Sequence, residues 1–476
     1  MKEFPMLNQD GLCGCVVYYD GQQNDARMCT AITMAAVDHG ATVTNYTEVV
    51  SLLKDAGGKV VGAMVRDLSD PEKPSKPFPV RAKTVINATG PFSDAIRRMD
   101  DEVSTEDIIK PSSGTHLVLP NFYSPEAIGL IDPATSDGRV IFFLPWEDAT
   151  LVGTTDTPCG VTATPIPSED EIRFVLGEIQ SYLGDDIQVR RSDVLSAWTG
   201  LRPLAADPAA KDTKSISRHH VVNTSDSGMV TIAGGKWTTY RKMAEDAVSQ
   251  ALQQDYAVKS KAGRCVTADT PVAGGGGYNP NLHMHLIQAY GVDSVVATHL
   301  SHTYGTEAHK VLAFATPTGK RWPVMGKRIV DGYPYIEAEV TYAAKNELAL
   351  RAEDVLGRRT RLAFLNVEAA REALPRVVEL LAAALGWSSS RAKAELGRGA
   401  TYLEQFIGPE PAAEVIERDI RLKATMAEVL DLFASMDTGK KGHVCVEDLV
   451  AVSKRLGAPL TEEQCRIIFY EMGNKN

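Results

Sequence analysis

Short apolar runs with β-branched residues recur through the first 265 residues, and most of them end at a turn signal. They lie at 10–22, 41–50, 59–65, 115–120, 140–144, 150–154 and 229–233. Runs of this composition are typical of strands. Helical spacing interrupts them after Asn24 and after Ser168, two residues well suited to cap a helix N-terminus. Strands interleaved with helices predict a fold of the α/β and α+β classes.

The pattern changes after a stretch rich in Gly, Pro and Thr at 261–278, which predicts a domain boundary. Beyond it, apolar residues recur at helical spacing over 340–355 and 367–385. We therefore predict an α/β and α+β part at 1–265, a helical domain at 279–408 and a further helical end at 422–476. The simplest interpretation of the helical domain is a packing module without chemistry of its own.

The last part contains a loop with the spacing of an EF-hand at 437–448. Gly442 occupies the sharp-turn position, and Asp437 and Asp448 occupy the first and last ligand positions. Gly439 and Lys441 stand where oxygen ligands belong, so the loop offers fewer oxygens than Ca²⁺ requires. We predict an EF-hand-like structural loop in which Asp437 and Asp448 are the candidate metal ligands. A second, truncated loop is expected at 473–476.

The composition argues against several classes of protein. The 476 residues carry a net charge of -11, which argues against a nucleic-acid-binding protein. The seven cysteines form no C-x-x-C pair, so neither structural zinc nor a disulfide framework is expected. No apolar run reaches the ~18 residues that a membrane-spanning helix needs.

A Gly-Gly turn provides the most specific candidate chemistry. Gly234 and Gly235 follow the apolar run at 229–233 and precede helical spacing at 243–248. A strand, a glycine turn and a helix bring backbone N–H groups to an anion or to a ring carbonyl. Lys236 adds a cation at the mouth of this turn. Three further polar turns are predicted, at 87–91, 153–156 and 200–204.

Three of these turns stand in longer segments, VINATGP at 85–91, GTTDT at 153–157 and AGGKWTTYR at 233–241. Three other segments are RVIFFLPW at 139–146, GKRWP at 319–323 and RRTRLAFL at 358–365. In these segments the chain resembles the FAD-dependent glycerol-3-phosphate dehydrogenases, in particular the mitochondrial type with a C-terminal EF-hand region. The resemblance covers nearly the whole chain. It implies a partial FAD-binding Rossmann-like domain with an antiparallel substrate domain. The N-terminal unit that binds the FAD pyrophosphate is expected to be missing, because no G-x-G-x-x-G loop follows a strand.

The same resemblance implies a reaction and a location. The reaction is oxidation of sn-glycerol 3-phosphate to dihydroxyacetone phosphate by hydride transfer to FAD, with electrons passed to ubiquinone. The location is the mitochondrial inner membrane, with the active site on the intermembrane-space side. Contact with the membrane surface is expected through the whole enzyme, and the resemblance is compatible with a homodimer.

Ten residues match functional positions of the family. His116 is expected at the start of a strand and is expected to orient or deprotonate the substrate hydroxyl, since an imidazole ordinarily titrates near neutral pH. Arg202 is expected in a fixed loop, where its permanently charged guanidinium could hold the phosphate, and Lys236 is expected beside the flavin and substrate. His116, Arg202 and Lys236 are therefore the catalytic candidates. The other candidates are Arg218, Thr155 and Asp156 for substrate binding, and Gly90, Gly234, Gly235 and Thr238 for FAD binding.

Other hypotheses stay open. Without the phosphate-binding loop, the chain could be a non-catalytic fragment that acts as a binding or regulatory module, and the 437–448 loop alone could make it a calcium sensor. A basic patch surrounds Trp322 and could contact an anionic membrane or form a solvated face; it comprises Lys320, Arg321, Lys327 and Arg328. His219 and His220 are expected to be solvated.

Overall fold

The computed structural model describes residues 4–406 apart from 5, 9, 11–12, 102–105, 126, 133–134, 136–139, 185–186, 207–215 and 218, together with residue 450. Residues 1–409 form one compact unit, and residues 410–476 form a second one. All described residues except 450 therefore belong to the first unit. Three of the candidate functional residues, Arg218, Asp437 and Asp448, lie outside the described residues.

The described strands are β1 (Thr47–Lys54), β2 (Val60–Asp67), β3 (Phe78–Arg81), β4 (Ile86–Asn87), β5 (Ile109–Pro120), β6 (Leu130–Asp132), β7 (Ile141–Trp146), β8 (Ala149–Gly153), β9 (Thr157–Pro158), β10 (Ser196–Ala206), β11 (Ile216–Ser217), β12 (His220–Thr224) and β13 (Val230–Gly234). The largest sheet has the order β11-β10-β5-β8-β7-β6, and β9 also pairs with β5. All of its pairings are antiparallel. Two smaller sheets have the orders β1-β2-β3 and β12-β13-β4, and β13 runs parallel to β4.

The described helices are α1 (Asp25–Asp38), α2 (Ser93–Asp100), α3 (Glu169–Tyr182), α4 (Tyr240–Ala251), α5 (Tyr256–Lys259), α6 (Leu282–Tyr290), α7 (Ser294–Tyr304), α8 (Ala308–Leu312), α9 (Glu337–Asn346), α10 (Ala352–Leu356), α11 (Leu362–Leu365), α12 (Val367–Leu385) and α13 (Ser389–Leu403). None of the helices in the described ranges is long and apolar enough to cross a membrane.

The large sheet is covered on both faces, and the alternation along β5 shows how. Leu117 and Leu119 point to one face, where they join a buried core with Ile172 and Val175 of α3. Val118 points to the opposite face and joins a second core with α10, α11 and α12. Since alternate residues of a strand share a face, His116 points with Val118 toward the helical region.

The helix starts predicted from capping residues are confirmed. Asn24 accepts a hydrogen bond from the Arg27 amide at 2.9 Å and starts α1. Ser168 and Glu171 form a capping box at the start of α3. The strands predicted at 115–120, 140–144 and 150–154 are confirmed as parts of β5, β7 and β8, and the helix at 367–385 is α12.

Other predictions about individual elements are wrong. Residues 13–24 form no strand, because no strand among the described residues pairs with this segment. Val16 and Tyr19 within it are 92% and 102% exposed. The helix predicted over 340–355 is two helices, α9 and α10, separated at 347–351, where Leu348 adopts a positive φ of 60°. The strand predicted from 41 begins only at Thr47.

Candidate active site

His116 lies on β5, opposite Gly153 of β8 and Trp198 of β10. Its imidazole stacks on the Trp198 indole, with centroids 5.5 Å apart and 10° between the planes. A side chain at position 153 would place its Cβ 2.7 Å from the His116 Cδ2, so only glycine leaves room for the ring. Burial, aided by the nearby Arg202 cation, lowers the pKa of His116 to about 4. The imidazole is therefore neutral at neutral pH and can accept a proton.

Arg202 lies within strand β10 and not in the predicted loop. Gly200 and Pro203 suggested a loop, but both are strand residues that pair with β5. The guanidinium donates to the Thr154 hydroxyl at 2.9 Å and to the Asp156 carboxylate at 3.1 Å. Its side chain remains 32% exposed, so it can also reach a ligand.

Gly114, which faces Gly200 across β5 and β10, makes room for this guanidinium. A Cβ at position 114 would lie 2.5 Å and 2.7 Å from the two terminal nitrogens of Arg202. At position 200, by contrast, a Cβ would meet no atom within 4 Å. Gly114 is therefore needed for the Arg202 side chain to keep this position, whereas no neighbouring atom requires a glycine at position 200.

Thr155 and Asp156 follow β8 and have different environments. The Thr155 hydroxyl is buried, accepts from the Thr115 amide at 2.9 Å and donates to Glu171 at 2.9 Å. Asp156 accepts from Arg202 and from the Ser112 hydroxyl. Asp156 therefore joins His116 and Arg202 in one site, whereas the Thr155 hydroxyl is used to attach α3 to β5.

Glu171, the partner of Ser168 in the capping box of α3, has a second role that depends on tertiary structure. Burial alone would raise the pKa of Glu171, but hydrogen bonds from the Ser168 amide and from the Thr155 and Ser168 hydroxyls outweigh it, and the pKa is lowered. The carboxylate thus connects the start of α3 to the loop that carries Asp156. No spacing in the sequence indicates this contact.

The predicted FAD-contacting glycines lie at one edge of the parallel pair β4 and β13. Ile86 pairs with Val230 and Asn87 pairs with Thr231, so the carboxyl ends of both strands are at the same edge. Gly90 (φ 57°) follows β4, whereas Gly234 (φ 72°) ends β13 and Gly235 (φ 77°) follows it. Helices α2 and α4 begin just beyond these turns. Ligands of such sheets bind at the carboxyl ends of the strands.

Lys236 and Thr238 are exposed between β13 and α4. A Cβ at Gly90 would meet nothing within 4 Å, so the space beside this turn is open. Glycine turns with backbone N–H groups, an ammonium and a hydroxyl suit the polar edge of a flavin, so these residues fit part of an FAD site. Among the described residues, no hydrogen bond or ion pair joins Lys236 to His116 or Arg202. The candidates lie on two sheets, with His116 and Arg202 on the large sheet and Gly234 on the β12-β13-β4 sheet.

The prediction that His220 is solvated is wrong, because its Nε2 lies 3.0 Å from the Asp246 carboxylate of α4 and the residue is half-buried. His219 is exposed, as predicted. In the basic patch around the exposed Trp322, Lys327 and Arg328 are paired with Glu337 and Asp293. Among the described residues, no group of three or more His, Cys, Asp or Glu side chains could hold a metal ion.

Comparison with known proteins assigns families to both halves of the chain. A family model described as FAD dependent oxidoreductase matches residues 1–241, and one described as the C-terminal domain of alpha-glycerophosphate oxidase matches residues 265–392. The mitochondrial glycerol-3-phosphate dehydrogenase of Bos taurus is 49% identical over 485 aligned residues, and that of Homo sapiens is 47% identical. Each alignment includes 100% of this chain and 66% of the relative, slightly less than two thirds.

A solved structure shows the same fold. The glycerol-3-phosphate dehydrogenase from Bacillus halodurans, complexed with FAD, superposes with a TM-score of 0.71 and 27% identity. The match covers 86% of this chain and 78% of the bacterial one.

Proposed function

This chain belongs to the FAD-dependent oxidoreductase family, and on that premise we propose that it oxidises sn-glycerol 3-phosphate to dihydroxyacetone phosphate as part of a mitochondrial enzyme. One arrangement carries the proposal: a partly buried imidazole, whose pKa burial lowers, lies on the same face of the large sheet as the Arg202 guanidinium, which packs over Gly114. The names of the relatives, which are glycerol-3-phosphate dehydrogenases, support the substrate.

Arg202 is proposed to bind the anionic substrate. A guanidinium meets phosphate with two parallel hydrogen bonds and stays charged at every relevant pH. In the structure this guanidinium donates hydrogen bonds to the Asp156 carboxylate and to the Thr154 hydroxyl. These two hydrogen bonds fix the orientation of the guanidinium. Arg218 is proposed as a second substrate-binding cation.

His116 is proposed to accept the hydroxyl proton of the substrate. As the C2 carbonyl forms, the hydroxyl proton passes to the imidazole, and the C2 hydrogen leaves with both bonding electrons. Bound FAD supplies the acceptor for that hydride. A pKa of about 4 makes His116 a weak base, but a phosphate dianion at Arg202 would offset the cation that lowers it. Substrate binding would therefore raise the pKa of His116 and make it a stronger base.

Lys236, Thr238 and the glycine turns are proposed to hold the flavin. Lys236 can stabilise negative charge that develops on the reduced ring, and exposed Thr238 offers a hydroxyl. Gly90, Gly234 and Gly235 would contribute backbone N–H groups without a Cβ in the way.

The cellular setting is a further part of the proposal. The relatives carry the word mitochondrial in their names, which supports a mitochondrial location. We propose the inner membrane, with the site on the intermembrane-space side and ubiquinone as electron acceptor. A homodimer remains a prediction compatible with the resemblance, and the calcium-sensor alternative rests only on Asp437 and Asp448 of the 437–448 loop, which lie outside the described residues.

The test is oxidation of glycerol 3-phosphate by the FAD-loaded protein with a dye acceptor. Glycerol, which lacks the phosphate, should be a far poorer substrate. His116→Asn and Lys236→Ala should each lower kcat by roughly 100-fold or more, because each removes a group that acts in the transition state. Equal rates with glycerol, or full activity in both variants, would contradict the proposal.

A further inference from the structure

The His116 imidazole is held in place without a hydrogen bond. Among the described residues, none donates to or accepts from either ring nitrogen, and the side chain is half-buried. A histidine that accepts a proton usually has its ring fixed by a hydrogen bond at the other nitrogen. Here both nitrogens are left for a ligand, so the orientation of the ring has to come from packing.

The two strands beside β5 supply that packing. Trp198 of β10 and Gly153 of β8 both pair directly with His116, so all three positions lie on the same face of the sheet. The indole is nearly parallel to the imidazole, with 10° between the planes and 5.5 Å between the centroids. A Cβ at Gly153 would lie 2.7 Å from the His116 Cδ2. The ring is therefore confined to the space over Gly153, with the indole as its aromatic neighbour.

Trp198 is in turn fixed by a second aromatic residue, which comes from the helical region. Phe364 of α11 meets the indole at nearly a right angle, with centroids 5.1 Å apart and 83° between the planes. Phe406 meets Phe364 in the same way at 4.7 Å, and Trp146 of β7 contacts the indole at 5.8 Å. Since aromatic pairs have preferred geometries, these contacts restrict the rotation of the indole.

Two hydrogen bonds hold α11 and α12 against the start of β10. The Ser196 hydroxyl donates to the Ala363 carbonyl at 3.0 Å, and the Val367 amide donates to the Leu195 carbonyl at 3.2 Å. Both Ser196 and Ala363 are buried, so α11 cannot slide along the strand without leaving a buried polar group unpaired. The position of the phenylalanine ring relative to the indole is therefore fixed by the backbone on both sides.

We propose that Trp198 is a positioning residue that holds the His116 imidazole in one orientation for proton transfer, and that Phe364 acts on the imidazole through Trp198. The role in the reaction rests on the proposed function, in which His116 accepts the hydroxyl proton. A proton acceptor has to stay within hydrogen-bond reach of that proton, and small displacements are costly. The helical region, expected to be a packing module only, then contributes to the active site through α11.

The ring contact can be tested without flavin or substrate, through the NMR signals of the His116 ring at neutral pH. An indole stacked on an imidazole shifts the imidazole proton signals upfield, and His116→Asn identifies these signals among the ten histidines. Trp198→Leu should abolish the upfield shift, and Trp198→Phe, which keeps an aromatic face, should retain part of it. Phe364→Leu should reduce the shift, because the indole loses the ring that orients it.

Trp387→Leu is the matched control. Trp387 packs against the same hydrophobic core as Trp198, but its described ring contact is with Arg391, whose guanidinium carbon lies 5.5 Å from the ring centroid. This variant should lower the melting temperature and leave the His116 signals unchanged. A purely structural role for Trp198 would give the same result in Trp198→Leu.

Kinetics of the FAD-loaded protein with glycerol 3-phosphate and a dye acceptor test the role in the reaction. Trp198→Leu should lower kcat by about 10- to 100-fold, because the base loses its orientation. KM should change by less than about twofold, because the Arg202 guanidinium keeps its place. Trp198→Phe should recover most of the lost kcat. Phe364→Leu should lower kcat less, and the double variant Trp198→Leu/Phe364→Leu should be no slower than Trp198→Leu alone.

Unchanged His116 signals in Trp198→Leu, or a normal kcat in a variant whose signals have moved, would overturn the positioning role. Independent effects of the two substitutions in the double variant would overturn the route from Phe364 through Trp198. Should Trp198→Leu fail to fold, Trp198→Phe and Phe364→Leu decide the question with smaller changes in volume. If the signals move as expected but the unaltered protein does not oxidise glycerol 3-phosphate, the ring contact is confirmed and the proposed reaction is wrong.

Discussion

The glycine pair Gly114 and Gly200 allows the role of Arg202 to be tested without altering Arg202 itself. Gly114→Ala would place a methyl 2.5 Å from one guanidinium nitrogen, and the flexible side chain would have to leave its position over Thr154. A displaced guanidinium loses a charge-assisted contact to the substrate worth about 1.5–3 kcal/mol, so kcat/KM should fall about 10- to 150-fold. The folded state also loses the hydrogen bonds to Thr154 and Asp156, but Arg202 and Asp156 are 32% and 59% exposed, so water can replace these partners at small cost. Replacing glycine offsets part of that cost, by about 0.4–1 kcal/mol, through the unfolded state.

Gly200→Ala is the matched control, because a Cβ there meets nothing within 4 Å although the residue faces Gly114 in the same sheet. Kinetics with glycerol 3-phosphate and thermal unfolding should be measured on both variants. Gly114→Ala is expected to lose activity with only a small change in melting temperature, while Gly200→Ala keeps both. Equal kcat/KM in the two variants would refute the reasoning that Arg202 needs the space above Gly114.

Contacts of the same site give three further predictions. Gly153→Ala should destabilise the protein by about 1–3 kcal/mol in urea unfolding, relative to Gly200→Ala, because its methyl overlaps the His116 ring; equal midpoints would contradict it. Arg202→Gln should raise the pKa of His116, which the cation lowers, so the onset of ring protonation seen by NMR should move to higher pH; no movement would contradict it. Glu171 has a lowered folded-state pKa, so its stabilisation is present above the unfolded pKa of about 4.3 and is lost as pH falls. Glu171→Gln should therefore weaken the loss of stability below about pH 5, and an unchanged acid dependence would exclude this role.

Local signals in the sequence predicted the elements that depend on local chemistry. Asn24 and Ser168 marked helix starts because a side-chain oxygen bonds an amide two or three residues away, which requires no tertiary contact. The apolar run at 115–120 predicted a strand because both faces of β5 are buried.

The errors occurred where a distant partner decides the structure. The segment 10–22 has strand composition, but a strand needs a neighbour, and 13–24 has none among the described residues. Pro203 suggested a loop, yet it faces Pro111 within the sheet. Since neither proline has an N–H, this pair fits a position where facing residues exchange no hydrogen bonds.

The candidate site was only partly predictable for the same reason. His116, Arg202 and Asp156 could be named because they match functional positions of a known family, and the structure brings them to one sheet. Gly114 could not, because the close approach of the Arg202 guanidinium leaves no mark on the local sequence.

The central claim is that this chain forms a flavin site in which glycerol 3-phosphate is oxidised. The most direct measurement is the visible spectrum of the protein mixed with FAD, freed of excess flavin, and then treated anaerobically with glycerol 3-phosphate. The expected result is bound flavin absorbance that the substrate bleaches. Flavin that stays oxidised with glycerol 3-phosphate but is bleached by dithionite would contradict the proposed reaction, and the absence of bound flavin would contradict the claim that this chain forms the site.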